Sequence, residues 1–519
     1  MNIITLDNLA IPKCDKTIAV RPELKKWLEI ELQPPKNYEM RKIKLELIHL
    51  AAEYTSDVLR QKTDVITESA IVSGHQAQWH SPGVWIKTAL AEAVGRKTNS
   101  VAIQLVLDHD IYSTALEMPA KIADGGYEIR KMPIEKSNPT LPVEFRTQQG
   151  SMKDLLDAAK HYFPNACVNK FFAGSDADNI PKMPADAITY FQAKINQYLG
   201  LNVLYLPVSI MSQTDIFYSF AVDIINKAHE FSDMYNAAIE KNKSVNALRK
   251  LSDGQLTELP FWIVSADKGR RTAYVKSEDD KITIYAADEP VAKFDCITAR
   301  KLQKHLAPQG LGIRPKAITL TLFVRLFLAD LFIHGIGGAK YEVITDYLIA
   351  NFYNVQVNPF TTATMTLRLF DGQYQPNIQS QISKAKGQLR DITFNPQNYI
   401  SPEFKLHPAV KKLVAKKKVL LDVIAANHFS VEQKRDIHQK TQDINSQLLA
   451  YTSGTAKLLE SRIQQLESDM QSDNVYQSRD YFFGLFDEIV LKNVIKSIDE
   501  YLMEESAGAK SVNCLPASR

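Results

Sequence analysis

Apolar runs that end in polar, histidine-bearing clusters organise the first part of the chain. Residues 70–72 predict a short buried strand that breaks at Gly74, and residues 101–107 (Val-Ala-Ile-Gln-Leu-Val-Leu) predict a second. Between them residues 84–93 have helical composition, and Ser81-Pro82-Gly83 gives a start signal with proline near the first turn. Strand, helix and strand in that order make a unit whose two strands run parallel. The clusters Gly74-His75-Gln76 and Asp108-His109-Asp110 are therefore expected at one carboxyl edge of one sheet, where open α/β folds bind ligands.

Elsewhere the pattern alternates between the two periodicities. Residues 24–59 read as mostly helical, divided at Pro34-Pro35, and a turn is expected at Asp124-Gly125-Gly126 within a looser, proline-containing stretch. Helices are expected at 155–162, 185–199 and 214–241, with a strand at 202–208. The short alternating runs 261–265, 271–276 and 281–285 predict a β-meander. Helix 317–328, strand 331–334, a glycine loop and helix 341–352 follow.

Beyond about residue 405 long helices are expected. Ser430 and Gln433 fit a capping box, and Ile437, Thr441, Ile444, Leu448, Tyr451, Thr455, Leu459, Ile463, Leu466 and Met470 step at three and four. Val410, Leu413, Lys417, Leu420 and Ile424 form a like stripe before Asn427-His428-Phe429, so the two helices are expected to fold back as an antiparallel coiled-coil arm. Lys411, Lys412, Lys416, Lys417 and Lys418 are read as a solvated face.

Length and composition then narrow the class. A chain of 519 residues exceeds one ordinary core, so at least two domains are expected. Its 45% hydrophobic and 23% charged residues suit a soluble globular protein, and a net charge of +3 gives no global argument for nucleic acid. Cys14, Cys167, Cys296 and Cys514 form no CxxC pair, which suits a reducing cytosol. The amino terminus lacks the pattern of a signal peptide. Residues 318–336 could mimic a membrane span, but Arg325, Asp330 and His334 interrupt them, so a buried helix running into a strand is expected.

Two constellations could carry chemistry. His75, His80 and His109, with Gln76, Asp108 and Asp110, are candidates because a carboxylate beside an imidazole fixes its tautomer and raises its basicity. Their spacing matches no zinc signature, so no metal is expected. The second is His334-Gly335-Ile336-Gly337-Gly338-Ala339-Lys340, where a glycine loop entering a helix could cradle an anion with Lys340 adding charge. A tight turn packed on the sheet is the competing reading. Arg314 and Arg325 flank this region, and Arg325 is expected to face a bound anion, a helix end or a carboxylate such as Asp330 or Asp346. Arg270 and Arg271 are read as surface residues.

The segment Ser73-Gly74-His75-Gln76-Ala77-Gln78-Trp79-His80-Ser81-Pro82-Gly83, with Lys87 behind it, resembles the Thr-Gly-Gln-Gln…Thr-Gly-Pro…Lys segment of the bacillithiol synthase family. Asp108-His109-Asp110 resembles that family's Asp-His-Asp, and the stretch from Arg314-Pro315 to Gly337-Gly338 resembles its Arg-Pro…Gly-Gly segment; order and spacing agree over most of the chain. The resemblance implies an α/β fold with a Rossmann-like, mostly parallel sheet core (1–404), a C-terminal α-helical antiparallel coiled-coil domain with closing helices (405–505) and a tail (506–519). It implies a ligase that joins cysteine to the amine of glucosaminyl malate. Carried over by position, Gly74, Gln76, Asp108, His109, Asp110, Gly337 and Gly338 belong to the site. His75 stands where the family has glutamine, and Ala339-Lys340-Tyr341 where it has a Gly-Glu pair, so a divergent acceptor is expected. The expected partners are small-molecule substrates and a second copy of the chain through the arm, with no nucleic acid and no membrane. ATP is the candidate activating cofactor, since a free carboxyl needs an acyl phosphate or adenylate. Nucleotidyl transfer at the paired histidines, and a non-catalytic binding protein, are the alternatives.

Overall fold

The computed structural model describes residues 1–30, 38–63, 67–122, 127–135, 140–147, 152–171, 180–240, 246–251, 256–370, 378–426 and 430–504. The expected breaks at Pro34-Pro35, Asp124-Gly125-Gly126 and Asn427-His428-Phe429, and the tail at 506–519, lie outside them. Two compact units form, and their seams fall at 118/119, 129/130, 369/370 and 478/479 rather than at 404/405.

The first unit is an α/β fold. β1 (Asn2–Thr5) and β2 (Thr17–Arg21) precede α1 (Tyr38–Asp57); β3 (Ala70–Gln76), α2 (Pro82–Thr98) and β4 (Val101–Leu107) follow. β5 (Val203–Pro207) runs into the single turn α3 (Val208–Met211) and then α4 (Asp215–Asn226). Later come α5 (Ala317–Phe327), β6 (Leu331–His334), the turn α6 (Ile336–Ala339), α7 (Glu342–Asn351) and β7 (Phe360–Thr366). The seven strands form one sheet in the order β1-β2-β7-β6-β3-β4-β5, parallel throughout except where β2 meets β7.

The strand–helix–strand unit forms as expected, with β3 and β4 paired in parallel and α2 packed on both. One detail differs. β3 does not break at Gly74 but continues to Gln76, with Gly74, His75 and Gln76 paired to Leu105, Val106 and Leu107. A Cβ at Gly74 would come within 3.2 Å of Leu105 Cβ, so glycine here eases a close strand pair instead of ending the strand. Chain order moves outward from β3 to β4 and β5, then returns to β6 beside β3. The order reverses between β3 and β6, and that crevice is where such sheets take ligands.

A second, antiparallel sheet builds on the meander. Its order is Glu289–Phe294, Lys281–Ala286, Gly269–Glu278, Leu256–Ser265 and Gly312–Pro315. Val72, Leu105 and Leu206 of the main sheet share a core with Phe217, Phe220, Phe261 and Phe323, each ring removing apolar area worth roughly 2–3 kcal/mol. Among the described residues no helix is long and apolar enough to cross a membrane. Residues 318–336 divide into α5 and β6, as the charged interruptions require.

The second unit comprises Pro119–Ile129 and Phe370–Ser478 and is mainly helical. Ile400, Val410, Ile444 and Leu448 form one apolar cluster, and Ile378, Ile382 and Leu466 another. The Ser430 capping box is present. Lys417 is the exception to the solvated lysine face: it is buried and donates to Phe394 O and Gln397 Oε1, at 2.8 and 2.7 Å.

Candidate functional site

Parallel pairing brings the ends of β3, β4 and β5 to one edge of the sheet. Gln76 Nε2 donates to Asp110 Oδ2 at 2.8 Å, so the two polar clusters meet. Asp108 turns toward α3: its carboxylate accepts from the Ser209 N–H at 3.0 Å and from the Ser209 hydroxyl. A single 3₁₀ turn, Val143–Phe145, folds over β4, with Val143 N donating to Asp110 O and Glu144 N to Asp108 O. Glu144 in turn accepts two bonds from Arg314, at 3.1 and 2.7 Å.

Burial and the neighbouring Glu144 raise the Asp108 carboxyl to about 7, against the opposing bonds from Ser209 and the charge of Arg314. Asp110 behaves oppositely. Burial pushes it up, but bonds from Gln76, the Ile111 N–H and Arg270 outweigh that and hold it low.

The carboxylate–imidazole pair expected at His109 is not assembled. Asp108 is committed to Ser209 and Asp110 to Gln76 and Arg270, while the His109 ring meets the Pro315 backbone. Its Nδ1 is buried with no hydrogen-bond partner among the described residues. Burial takes His109 down to about 3 despite Asp110, with Arg314 and Arg270 adding to the fall, so the ring is neutral at pH 7.

His75 and His80 come together instead, edge to face with centroids 5.2 Å apart. Both lean on one acceptor, Gln76 O, at 3.3 Å from His75 Nδ1 and 3.1 Å from His80 Nε2. Burial lowers His75 to about 3 and His80 well below its ordinary value. They line a cavity of about 10 Å³ with Gln104, Thr189, Gln192 and Tyr205, room for a single water. Lys87 is buried behind them, donates to Gly74 O at 2.7 Å, and is lowered by burial to about 8.

The glycine loop is a tight turn. α6 is one turn of four residues, and Lys340 lies at its end, not at its start. A Cβ at Gly338 would stand 2.5 Å from His334 Nδ1, whereas Gly335 and Gly337 face open space. His334 Nε2 lies 3.1 Å from Glu342 Oε1. Arg325 reaches the same Glu342, Asp346 at 2.6 Å, and Asn358 O, which makes it an internal cross-link. Asp330, the other partner considered for it, pairs with Lys44 and accepts from Ser69 Oγ and Ala70 N.

Three residues that shape the edge carry no local signal. Arg270, expected at the surface, lies over the Trp262 ring at 4.5 Å and pairs with Asp110, 160 residues away. Ser209 and Glu144 are likewise brought in by tertiary contact. Arg479 sits beside the start of α2 and donates to Thr364 and Thr366 at the end of β7, at 3.2 Å each. Its guanidinium would lie 2.3 Å from a Cβ at Gly83, so that position must stay glycine for the arginine to approach. A proton acceptor near neutrality, paired arginines and an unsatisfied imidazole nitrogen can together bind a polar substrate and move one proton. No protein-family model matches the chain, and no curated protein matches it.

Proposed function

We propose that the chain is a carbon–nitrogen ligase of the bacillithiol-synthase kind. It joins the carboxyl of cysteine, or of a related acid, to an amino-sugar-type acceptor such as glucosaminyl malate. The observation that carries this reading is the buried Asp108 carboxyl near pH 7, held at the carboxyl end of β4 beside Glu144 and Arg314. A carboxylate poised there takes the proton an attacking ammonium must lose, which is general-base work. Asp108 thus replaces His109 as the base, since a ring that protonates only near pH 3 accepts protons poorly. His109 Nδ1 keeps a hydrogen-bond position for substrate. Arg314 puts positive charge beside Glu144 and Asp108, Arg270 puts it on Asp110, and ATP is proposed as the activator of the acyl group.

Nucleotidyl transfer has less support. The two histidines that would steady a phosphate are neutral and share one backbone carbonyl. The helices of the second unit are proposed as an antiparallel coiled-coil arm that pairs two chains. The strongly exposed Leu406, Val419, Val431 and Leu458 support that pairing.

The test is mass spectrometry of wild type and Asp108→Asn incubated with cysteine, glucosaminyl malate and ATP. Product from wild type is expected, with its rate lowered about 10²-fold or more in the variant. Equal rates would remove Asp108 as the base, and no product from wild type would remove this pair of substrates.

A further inference from the structure

Arg479 is a largely buried cation without a buried counter-charge. Arg146, Arg314 and Arg325 each pair with a buried glutamate, Glu135, Glu144 and Glu342. The Arg479 side chain is only 20% exposed, yet its Nη1 and Nη2 reach neutral hydroxyls, those of Thr366 and Thr364, at 3.2 Å each. Among the described residues the one carboxylate within 4.0 Å is Asp480, which is 82% exposed and stands 3.8 Å from Nε, beyond hydrogen-bond reach. The threonines use two of a guanidinium's five N–H groups, and the others meet no acceptor among the described residues. Burial works against the Arg479 charge, Asp480 offsets part of that, and the neighbouring Arg368 adds to it.

The same guanidinium stands against the first turn of α2, where a Cβ on Gly83 would fall 2.3 Å from Nη2. A helix start and a guanidinium are both positive and both donate, so neither satisfies the other. Ser81 is the N-cap residue, and serine there ordinarily caps its helix. Here its side chain accepts nothing from the first turn, and its hydroxyl has no partner among the described residues although Ser81 is only 8% exposed. The Gly83 N–H meets no acceptor among them either. Donors from Arg479, Ser81 and α2 thus gather at one place, and what it lacks is an acceptor that carries negative charge. Thr366 ends β7, which runs parallel to β6 and β3, so the place belongs to the carboxyl edge that also holds Asp108. It lies across the β3–β6 crevice from β4, three strand positions along the sheet.

We propose that Arg479, Ser81 and the first turn of α2 bind an oxyanion, the carboxylate or phosphate group of a ligand. The subsite is argued from these donors alone and does not depend on the ligase chemistry proposed for Asp108.

Calorimetry of the full chain at constant ionic strength tests it with inorganic phosphate, succinate and the uncharged succinamide. One or both anions are expected to bind saturably at millimolar concentration, with succinamide at least about tenfold weaker. Arg479→Gln should weaken the anion about tenfold or more. Ser81→Ala should leave urea stability in chloride unchanged, because the hydroxyl does not cap α2, yet weaken the anion about threefold. Asp108→Asn should bind the anion as wild type does, so failure of the subsite and failure of the ligase reading stay distinct. Tighter phosphate binding assigns the subsite to a phosphoryl group, and tighter succinate binding assigns it to a carboxylate. No saturable binding of either anion, or equal binding of succinamide, would overturn the proposal. So would anion affinity unchanged in Arg479→Gln, or in Ser81→Ala should the arginine variant not fold, which would leave Arg479 a structural tie between β7 and α2.

Discussion

Asp108 and His75 pull the pH dependence of stability in opposite directions. The folded chain holds the Asp108 proton up to about pH 7, while an unfolded aspartate releases it near 3.8. Between those values the folded state binds more proton, so this residue's contribution to stability falls as pH rises. His75 is neutral in the fold down to about pH 3 but protonates near 6.5 when unfolded. Below 6.5 the unfolded chain therefore binds more proton, and stability is lost as pH falls. Two variants should separate these effects in urea unfolding. Asp108→Asn is expected to gain roughly 2 kcal/mol relative to wild type on going from pH 5 to pH 7, a tenfold change in proton affinity being worth about 1.4 kcal/mol. His75→Gln, which installs the amide that the resemblance expects, should lose roughly 2 kcal/mol less than wild type on going from pH 7 to pH 5. A pH-independent difference in either variant would mean that the residue does not carry the burial penalty assigned to it.

Packing between elements shows why some of the fold was legible and some was not. The β3–α2–β4 unit and the Ser430 capping box depend on residues close in sequence, so their patterns could be read directly. β7, Phe-Thr-Thr-Ala-Thr-Met-Thr, was not predicted: its threonines read as polar, yet all four are buried between β2 and β6. The site was legible to the same extent. Gln76 and Asp110 do meet, whereas the Asp108 carboxylate turns to Ser209, and Arg270, Glu144 and Ser209 arrive from distant elements that no spacing could announce. Arg325 shows the cost of such long-range pairing. It ties α5 to α7 through Glu342, which is fully buried, with Asp346 half exposed. Arg325→Leu should destabilise the chain by about 3–5 kcal/mol, because the buried Glu342 loses its guanidinium partner and keeps only His334 and Thr345. Arg325→Leu combined with Glu342→Leu should recover most of that loss. A double variant no more stable than the single one would show that the bond to Asn358 O, and not the charge pair, holds the two helices.

The chain path sets a test for the whole molecule. The first unit is left at Leu369 and resumed at Arg479, and the segment Phe370–Ser478 lies between. Arg479 donates to Thr364 and Thr366, so the chain re-enters the first unit next to the strand it left. After re-entry Phe483 N donates to His80 O at 2.8 Å and the Phe483 ring stacks on Trp85 at 5.2 Å. Those contacts pack the re-entering chain on the start of α2 within the first unit. An insertion whose ends lie close together, in a host with its own core, can be removed with a short linker. Replacing Phe370–Ser478 by a few glycines and serines should therefore leave a chain that unfolds in one cooperative transition and keeps the pH behaviour of Asp108. If the helical unit is the arm that pairs two chains, sedimentation should change from dimer to monomer in the same variant. A dimer that survives excision would place pairing on the first unit. A variant without a cooperative transition would mean that the sheet core needs the helices it encloses in sequence.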